Sequence, residues 1–357
     1  MLPLRHPKVD PWEAMFLPPR RAVLDWPTRQ GLAARGWKKI RQSDLASYRS
    51  CPASLQFTLQ ARLPGGSEVG TINQFLGSLL HEVLASPGDS TEWFNPAWWM
   101  VNASAVRARH PHTKYIWQGK PLSHGDVQGW CNRMVAVEDK FGGRSVAHLL
   151  MQVHEDLRKR RYEVLGIEET VSIPDGDEGE ISFDGTLDFL VRRAGQIGVL
   201  DLKSYGLLDT LLDGSAPKAQ RPDVGVLRFD SQLRHYGMLL QMKYATTVSF
   251  VGHIYPANLC PQLTGPDKGK PKGPALVVEH LVEGDIEEYQ AGVVATLRQA
   301  ALPVPWAKTF PTYFGAPKCL KMCGAREVCF KTSSSDGEDL ADLFDGLTTG
   351  DLEISKS

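Results

Sequence analysis

The spacing of apolar positions changes period along this chain. From Val69 to Leu84 the apolar side chains Val69, Ile72, Phe75, Leu76, Leu79, Leu80, Val83 and Leu84 recur at i, i+3, i+4 and i+7, which predicts an amphipathic helix over residues 69–86 with His81 off the centre of the stripe. An earlier helix begins at the capping residue Ser43 and carries Leu45, Tyr48, Cys51 and Leu55, with Pro52 breaking or restarting it. Residues 93–160, which hold Trp93, Trp98, Trp99, Trp117 and Trp130, read as mostly helical. They end in Arg158-Lys159-Arg160-Arg161, a solvated face or a phosphate contact. The period then drops to two. Residues 163–173, 181–192 and 197–203 predict three consecutive strands, separated by Asp/Gly-rich turns at 175–179 and 195–196. After a long loop, residues 229–244 predict a helix with Leu233, Leu240 and Tyr244 facing inward, and residues 246–255 another strand. Helix, three strands, helix and strand in this order predict an α/β fold, a mixed sheet flanked by helices with an additional helical region.

Outside these elements, residues 1–40 mix Pro, Arg and Trp without a period and read as an irregular arm packed through its aromatics. Residues 261–275 alternate Pro, Gly and Lys and read as a flexible loop, and residues 331–357 as an acidic disordered tail. Within that tail Leu340, Leu343, Phe344 and Leu347 share one face of a short helix, which makes 336–353 a candidate partner-binding segment or a solubilising tail. The expected organisation is therefore an arm over 1–40, a single domain over 41–330 with its core at 69–86 and 163–255, and the tail.

Composition narrows the setting. Of 357 residues 42% are apolar and 23% charged, values of an ordinary globular protein, and no apolar run approaches the roughly 20 residues of a membrane span. The start, Met1 to His6, lacks a basic segment followed by an apolar one, so a soluble protein of the reducing cytoplasm is expected, with cysteines unpaired or metal-bound. The tail beyond Lys331 holds seven acidic residues against Lys356, a local charge of −6, so the total of −1 leaves the rest of the chain at +5. A mildly basic body is compatible with a nucleic-acid groove.

The chemistry-bearing residues are Gly185-x-x-Asp188, Asp201-x-Lys203 and Gln232-x3-Tyr236. A D-x-K triplet alone says little, and Glu138-Asp139-Lys140 is a decoy of similar type in a helical stretch. Asp201-Leu202-Lys203 differs in closing an apolar strand, where alternation sends Asp201 and Lys203 to one face, across a hairpin from Asp188. Two such carboxylates repel unless a cation lies between them or one is protonated. A divalent ion there lowers the pKa of a bound water and neutralises phosphodiester charge, while Lys203 orients the water or stabilises charge developing on the phosphate. The plain alternative is a surface Asp–Lys pair at a strand end. Glu168 is a further carboxylate of the site or an exposed strand glutamate.

This combination resembles the RecB-like branch of the PD-(D/E)XK nuclease superfamily, and the cysteines resemble those of its iron-sulfur members, the CRISPR-associated exonuclease family and the AddB-type nuclease domain, phage-encoded members included. Gly77-Ser78-Leu79-Leu80-His81 matches the histidine-bearing helix, Gly185 to Asp188 the G-x-x-D signature, Asp201 to Lys203 the D-x-K signature, and Gln232 and Tyr236 the Q-x3-Y signature on the following helix. The resemblance implies a restriction-endonuclease-like core. It makes His81, Asp188, Asp201 and the Leu202 carbonyl ligands of Mg2+ or Mn2+, Lys203 the catalytic lysine, and Gln232 and Tyr236 the residues that hold nucleic acid or support the site.

Cys319-x3-Cys323-x5-Cys329 packs three thiols beside Lys318, Lys321 and Arg326, and Cys51 lies far upstream in Ser43-x4-Tyr48-x2-Cys51-Pro52. Four thiolates suit a 4Fe-4S cluster or a tetrahedral zinc. The resemblance implies the 4Fe-4S clasp, although the triplet opens C-x3-C where the family's opens C-x2-C. Cys131 and Cys260 read as small buried apolar residues. The chain has no G-x4-GK[ST], G-x-S-x-G or H-E-x-x-H, which argues against an ATPase and the commonest hydrolase layouts. The function implied is a metal-dependent exonuclease acting on single-stranded DNA ends in recombination, repair or DNA processing, with a helicase or recombination partner. The alternative is a non-catalytic iron-sulfur or zinc protein that binds nucleic acid or aids assembly.

Overall fold

A computed structural model describes residues 23–61, 68–86, 91–176, 179–214, 217, 226–244, 246–262, 266–304 and 306. The start of the arm, Cys319, Cys323, Cys329 and the acidic tail lie outside the described residues. In chain order the elements are α1 (Trp26–Ala34), β1 (Lys39–Ile40), α2 (Gln42–Ser50), α3 (Pro52–Ala61), β2 (Glu68–Thr71), α4 (Ile72–Ala85), α5 (Pro96–Arg109), β3 (Thr113–Trp117), β4 (Lys120–Pro121), α6 (His124–Val135), α7 (Val146–Lys159), β5 (Glu163–Pro174), β6 (Ser182–Arg193), β7 (Gln196–Leu202), α8 (Tyr205–Asp213), α9 (Ser231–Tyr244), β8 (Val248–Ile254), β9 (Leu276–His280) and α10 (Asp285–Ala301). They fall into two compact units. Among the described residues, one is built from the segment ending at Gln42 and from Val69 to Leu302, the other from Ser43 to Glu68 with Pro303, Val304 and Trp306.

The first unit is organised by a six-stranded mixed sheet. β6 is its spine: β5 lies antiparallel along one edge over nearly the whole strand, while β1 (parallel) and β7 (antiparallel) share the other edge. β8 adds parallel to β7 and β9 antiparallel to β8. The β6–β7 hairpin turns through Ala194 and Gly195, both at positive φ (50° and 80°), the geometry of a two-residue turn that follows the right-handed twist of its strands.

Alternation divides the sheet. Phe189, Val191, Leu200, Leu202 and Phe250 join one core with Phe75, Leu76, Leu79 and Leu80 of α4, Trp99, Trp130 and Leu150. α9 approaches β6 where Gly185 has no side chain: a Cβ there would stand 2.6 Å from Leu239 Cδ1 and 3.3 Å from Tyr236 Cε1. α4 starts at a capping box between Thr71 and Gln74, which fixes the helix that bears His81.

The sheet and the helices α4 and α9 follow the periodicity closely, and other elements depart from it. Residues 26–34 of the expected irregular arm form α1, because Asp25 caps it by accepting from Thr28 N at 2.9 Å and Pro27 presets its first turn. The arm is fastened where the buried Asp175 carboxylate accepts from Val23 N and Leu24 N, and Trp37 is fully buried. Residues 113–121, inside the expected helical stretch, form the β3–β4 hairpin, part of a three-stranded sheet with β2. α8, β9 and α10 add three elements where no pattern was read.

In the second unit α2 and α3 are separated at Cys51 and Pro52, as the proline predicts. Tyr48 of α2 meets Trp306 edge to face, with ring centroids 5.2 Å apart. Cys51 is half-buried and outside any disulfide, while Cys131 and Cys260 are fully buried. Burial pushes the Cys131 thiol up to about 12 and Cys260 to about 11. Arg158 to Arg161 are all exposed. Among the described residues no helix is long and apolar enough to cross a membrane.

Candidate active site

Strand register builds the site. The β6–β7 ladder runs from Arg193↔Gln196 to Phe189↔Leu200, so the next residues in register, Asp188 and Asp201, face each other. On the other edge of β6, the pairs Ile167↔Phe189 and Glu169↔Leu187 bracket Glu168 opposite Asp188, and β8 sets His253 directly beside Asp201. Glu168, Asp188, Asp201 and His253 therefore form one row across four strands. At Glu168 the backbone takes φ +52°, just past a register shift between Val164 and Gly166. Such a conformation costs energy for a side-chain-bearing residue and is tolerated where the surroundings impose it.

Three like charges side by side on a sheet are destabilising, and the structure brings cations to both ends of the row. From α4, His81 Nδ1 lies 2.6 Å from Glu168 Oε1 and 3.3 Å from Asp188 Oδ1. Burial alone would depress this imidazole, yet the Asp188 charge and the hydrogen bonds to Asp188 and Glu168 hold it well above its ordinary value. At the other end Lys203 Nζ lies 2.6 Å from Asp201 Oδ2 and donates to Gln232 Oε1 at 3.3 Å. Burial lowers the Lys203 pKa, but the Asp201 charge and hydrogen bond, with Asp230 and Asp188 behind them, raise it overall, so it stays an ammonium. Asp201 itself is raised above the usual carboxylate range by burial and by Asp188, against the pull of Lys203.

α9 completes the enclosure. Gln232 Nε2 lies 2.6 Å from Asp201 Oδ1 and 2.9 Å from the Tyr236 hydroxyl. Burial and the charges of Asp188 and Asp201 keep that phenol protonated far beyond its ordinary range. Leu202 enters through its N–H, which donates to Asp188 Oδ2 at 2.6 Å.

One imidazole nitrogen and one oxygen each from Glu168 and Asp188 lie within 4.8 Å of one another, a donor set that fits a hard divalent cation and, through the imidazole, suits Mn2+ as well as Mg2+. His81, Asp188, Asp201, Lys203, Gln232 and Tyr236 meet here. In this donor set Glu168 stands with His81 and Asp188, while Asp201 lies against Lys203 and Gln232. The decoy has no such setting: Lys140, in a single 3-10 turn over Asp139–Phe141, pairs with Glu138 at 2.7 Å and donates to the Thr210 carbonyl.

A family model described as the PD-(D/E)XK nuclease superfamily matches residues 40–330. The chain belongs to that superfamily. The matched span contains every residue of the row, the α4 histidine and all four cysteines of the expected clasp. No curated protein matches the chain in sequence. The superfamily is one of nucleases that typically use Mg2+ or Mn2+, and the mixed sheet with its flanking helices is consistent with the restriction-endonuclease-like fold. Reading the sequence missed His253, Asp230 and Tyr255. Asp230 was detectable as the residue capping α9, whereas His253 carried no signal beyond its alternate position in a strand.

Proposed function

We propose that this chain is a metal-dependent DNA exonuclease that hydrolyses phosphodiester bonds at single-stranded ends, with His81, Glu168 and Asp188 holding the divalent ion. The observation that carries the reading is the row of buried carboxylates closed at one end by His81 and at the other by Lys203. A bound ion supplies charge neutralisation on the phosphodiester and a more acidic water. The protein's own groups divide the remaining work. Lys203 stays charged and, anchored between Asp201 and Gln232, presents a fixed positive charge to the phosphate as its negative charge grows. Gln232 ties Asp201 to the Tyr236 hydroxyl and so holds the carboxylate and the helix in one arrangement.

The second part of the proposal is a 4Fe-4S cluster on Cys51, Cys319, Cys323 and Cys329. Its support is the thiolate set itself and the return of the chain to α2, where Trp306 packs on Tyr48 close to Cys51. Product analysis on end-labelled single- and double-stranded DNA with Mn2+ or Mg2+ tests the first part. Mononucleotides or short products released from single-stranded ends are expected. Intact substrate under both metals rejects the enzyme reading, and internal cuts in closed circles reject the end requirement. Iron and sulfide analysis after anaerobic purification tests the second, and zinc without iron rejects it.

A further inference from the structure

His253 belongs to the row yet has no part in the chemistry described so far. It is 6% exposed, and an imidazole in such a place is costly unless both ring nitrogens find partners. Nδ1 lies 2.9 Å from the hydroxyl of Tyr255, itself buried. Nε2 is buried without a hydrogen bond and faces two carboxylates, Asp230 Oδ2 at 3.4 Å and Asp201 Oδ2 at 4.0 Å. A tyrosine hydroxyl donating to Nδ1 leaves the ring proton on Nε2, facing the two carboxylates. The other oxygen of Asp230 accepts from the amides of Gln232 (2.8 Å) and Leu233 (3.1 Å) at the start of α9. Gln232 then returns to Asp201. Hydrogen bonds thus run from Asp230 into α9 and from α9 back to Asp201 on β7, and His253 on β8 stands between the two carboxylates.

We propose that His253 is a positioning residue for the nuclease reaction. With its proton held on Nε2 by Tyr255, it spans Asp230 and Asp201 and fixes the carboxylate against which Lys203 is aligned. A second cation among Asp201, His253 and Asp230 is the weaker use of these groups, because the Lys203 ammonium already sits 2.6 Å from Asp201 Oδ2. His253 is outside the ligand group of His81, Glu168 and Asp188. Partners that orient the groups at a metal centre from behind are worth about 10–100-fold in activity or metal affinity.

The proposal rests on the nuclease reading, so its test has one arm that needs no cleavage. In the metal-free full-length protein, long-range 15N–1H correlation spectra of the histidines are expected to show His253 as the Nε2–H tautomer, and Tyr255→Phe is expected to change that pattern. An Nδ1–H tautomer overturns the proposal whether or not DNA is cut. In the activity arm, His253→Leu, His253→Gln and Tyr255→Phe are compared with wild type on single-stranded DNA with Mn2+. His253→Leu is expected to lower kcat by about 10–100-fold with KM within about twofold. His253→Gln should recover most of the loss, because its amide places an N–H near the position of Nε2. A folded His253→Leu with unchanged kcat overturns the proposal, as does a His253→Gln no better than His253→Leu. If His253→Leu fails to fold, the Gln and Tyr255→Phe variants decide on the same terms. Wild-type protein that cuts nothing rejects the nuclease reading instead, and the spectra still judge the tautomer.

Discussion

At the scale of single residues, the site is a balance of buried charges, and two predictions follow from which charge each residue carries. Lys203 is the cation that the carboxylate row holds at its α9 end. Lys203→Ala is expected to lower kcat by about 100–1,000-fold, the loss typical when one fixed electrostatic stabiliser is removed. Single-turnover cleavage measures it, with circular dichroism as the folding control; cleavage at the wild-type rate would remove Lys203 from the mechanism. His81 behaves differently because its two states serve different purposes. In the metal-free protein Glu168 and Asp188 raise its pKa well above 6.5, so its contribution to stability is complete below about pH 6.5 and fades as pH rises through the higher folded value. Metal binding needs the neutral ring and expels the proton. Mn2+ affinity should therefore climb as pH rises toward the raised folded value of His81 and level off above it, with proton release visible in calorimetry in buffers of different ionisation enthalpy. His81→Ala should bind more weakly and with a flatter pH dependence. Most of these residues were legible in sequence because their types and order are unusual. Glu168 was half-legible, since a glutamate on a strand is ordinary until the register places it opposite Asp188.

At the scale of elements, the legible parts are those in which one period runs without interruption. β5, β6 and β7 are unbroken runs rich in β-branched and aromatic residues, and α4 buries its apolar positions at helical spacing. The β3–β4 hairpin was hidden because it turns on Gln118-Gly119 rather than the Asn-Gly or Asp-Gly that such turns favour, with Gln118 forced to φ +48°. α1 was hidden by the prolines and tryptophans around it. α10 was readable in principle, since Ile286, Tyr289, Val293, Leu297 and Ala300 line one face, but it carries no chemistry to draw attention. Gly185 links elements to site: it is the point where α9 settles on β6, and the same glycine opens the G-x-x-D signature. Gly185→Ala puts a methyl 2.6 Å from Leu239 Cδ1, so either α9 lifts or the strand bends. A destabilisation of about 1–3 kcal/mol is expected, read in urea melts. Activity should fall further than stability alone explains, because Gln232 and Tyr236 ride on the displaced helix. A variant with wild-type melting and wild-type activity would show that the close approach is slack.

At the scale of the whole molecule, the carboxylate row and the proposed cluster answer to different parts of the sequence, and this makes them separable by experiment. All the row's residues lie between His81 and His253. The cysteines lie outside them at 51 and 319–329, so a cluster on them ties two points separated by 267 intervening residues. In the chain-entropy picture, a cross-link that closes a loop of this length stabilises the folded state by on the order of 5 kcal/mol, and metal ligation between distant segments acts in the same sense. Cys51→Ser or Cys319→Ser should therefore lose iron together with roughly 10 °C or more of melting temperature, given the few degrees per kcal/mol expected for a chain of this size. Lys203→Ala should keep its iron content while losing cleavage. Cys131→Ser and Cys260→Ser are the internal controls: both thiols are fully buried with raised pKa values, so each should cost some packing stability while retaining iron. Iron assay and differential scanning calorimetry on the same preparations read all of these together. Iron retained in Cys51→Ser, or lost equally in Cys131→Ser, would place the cluster on other ligands and remove the clasp from this account.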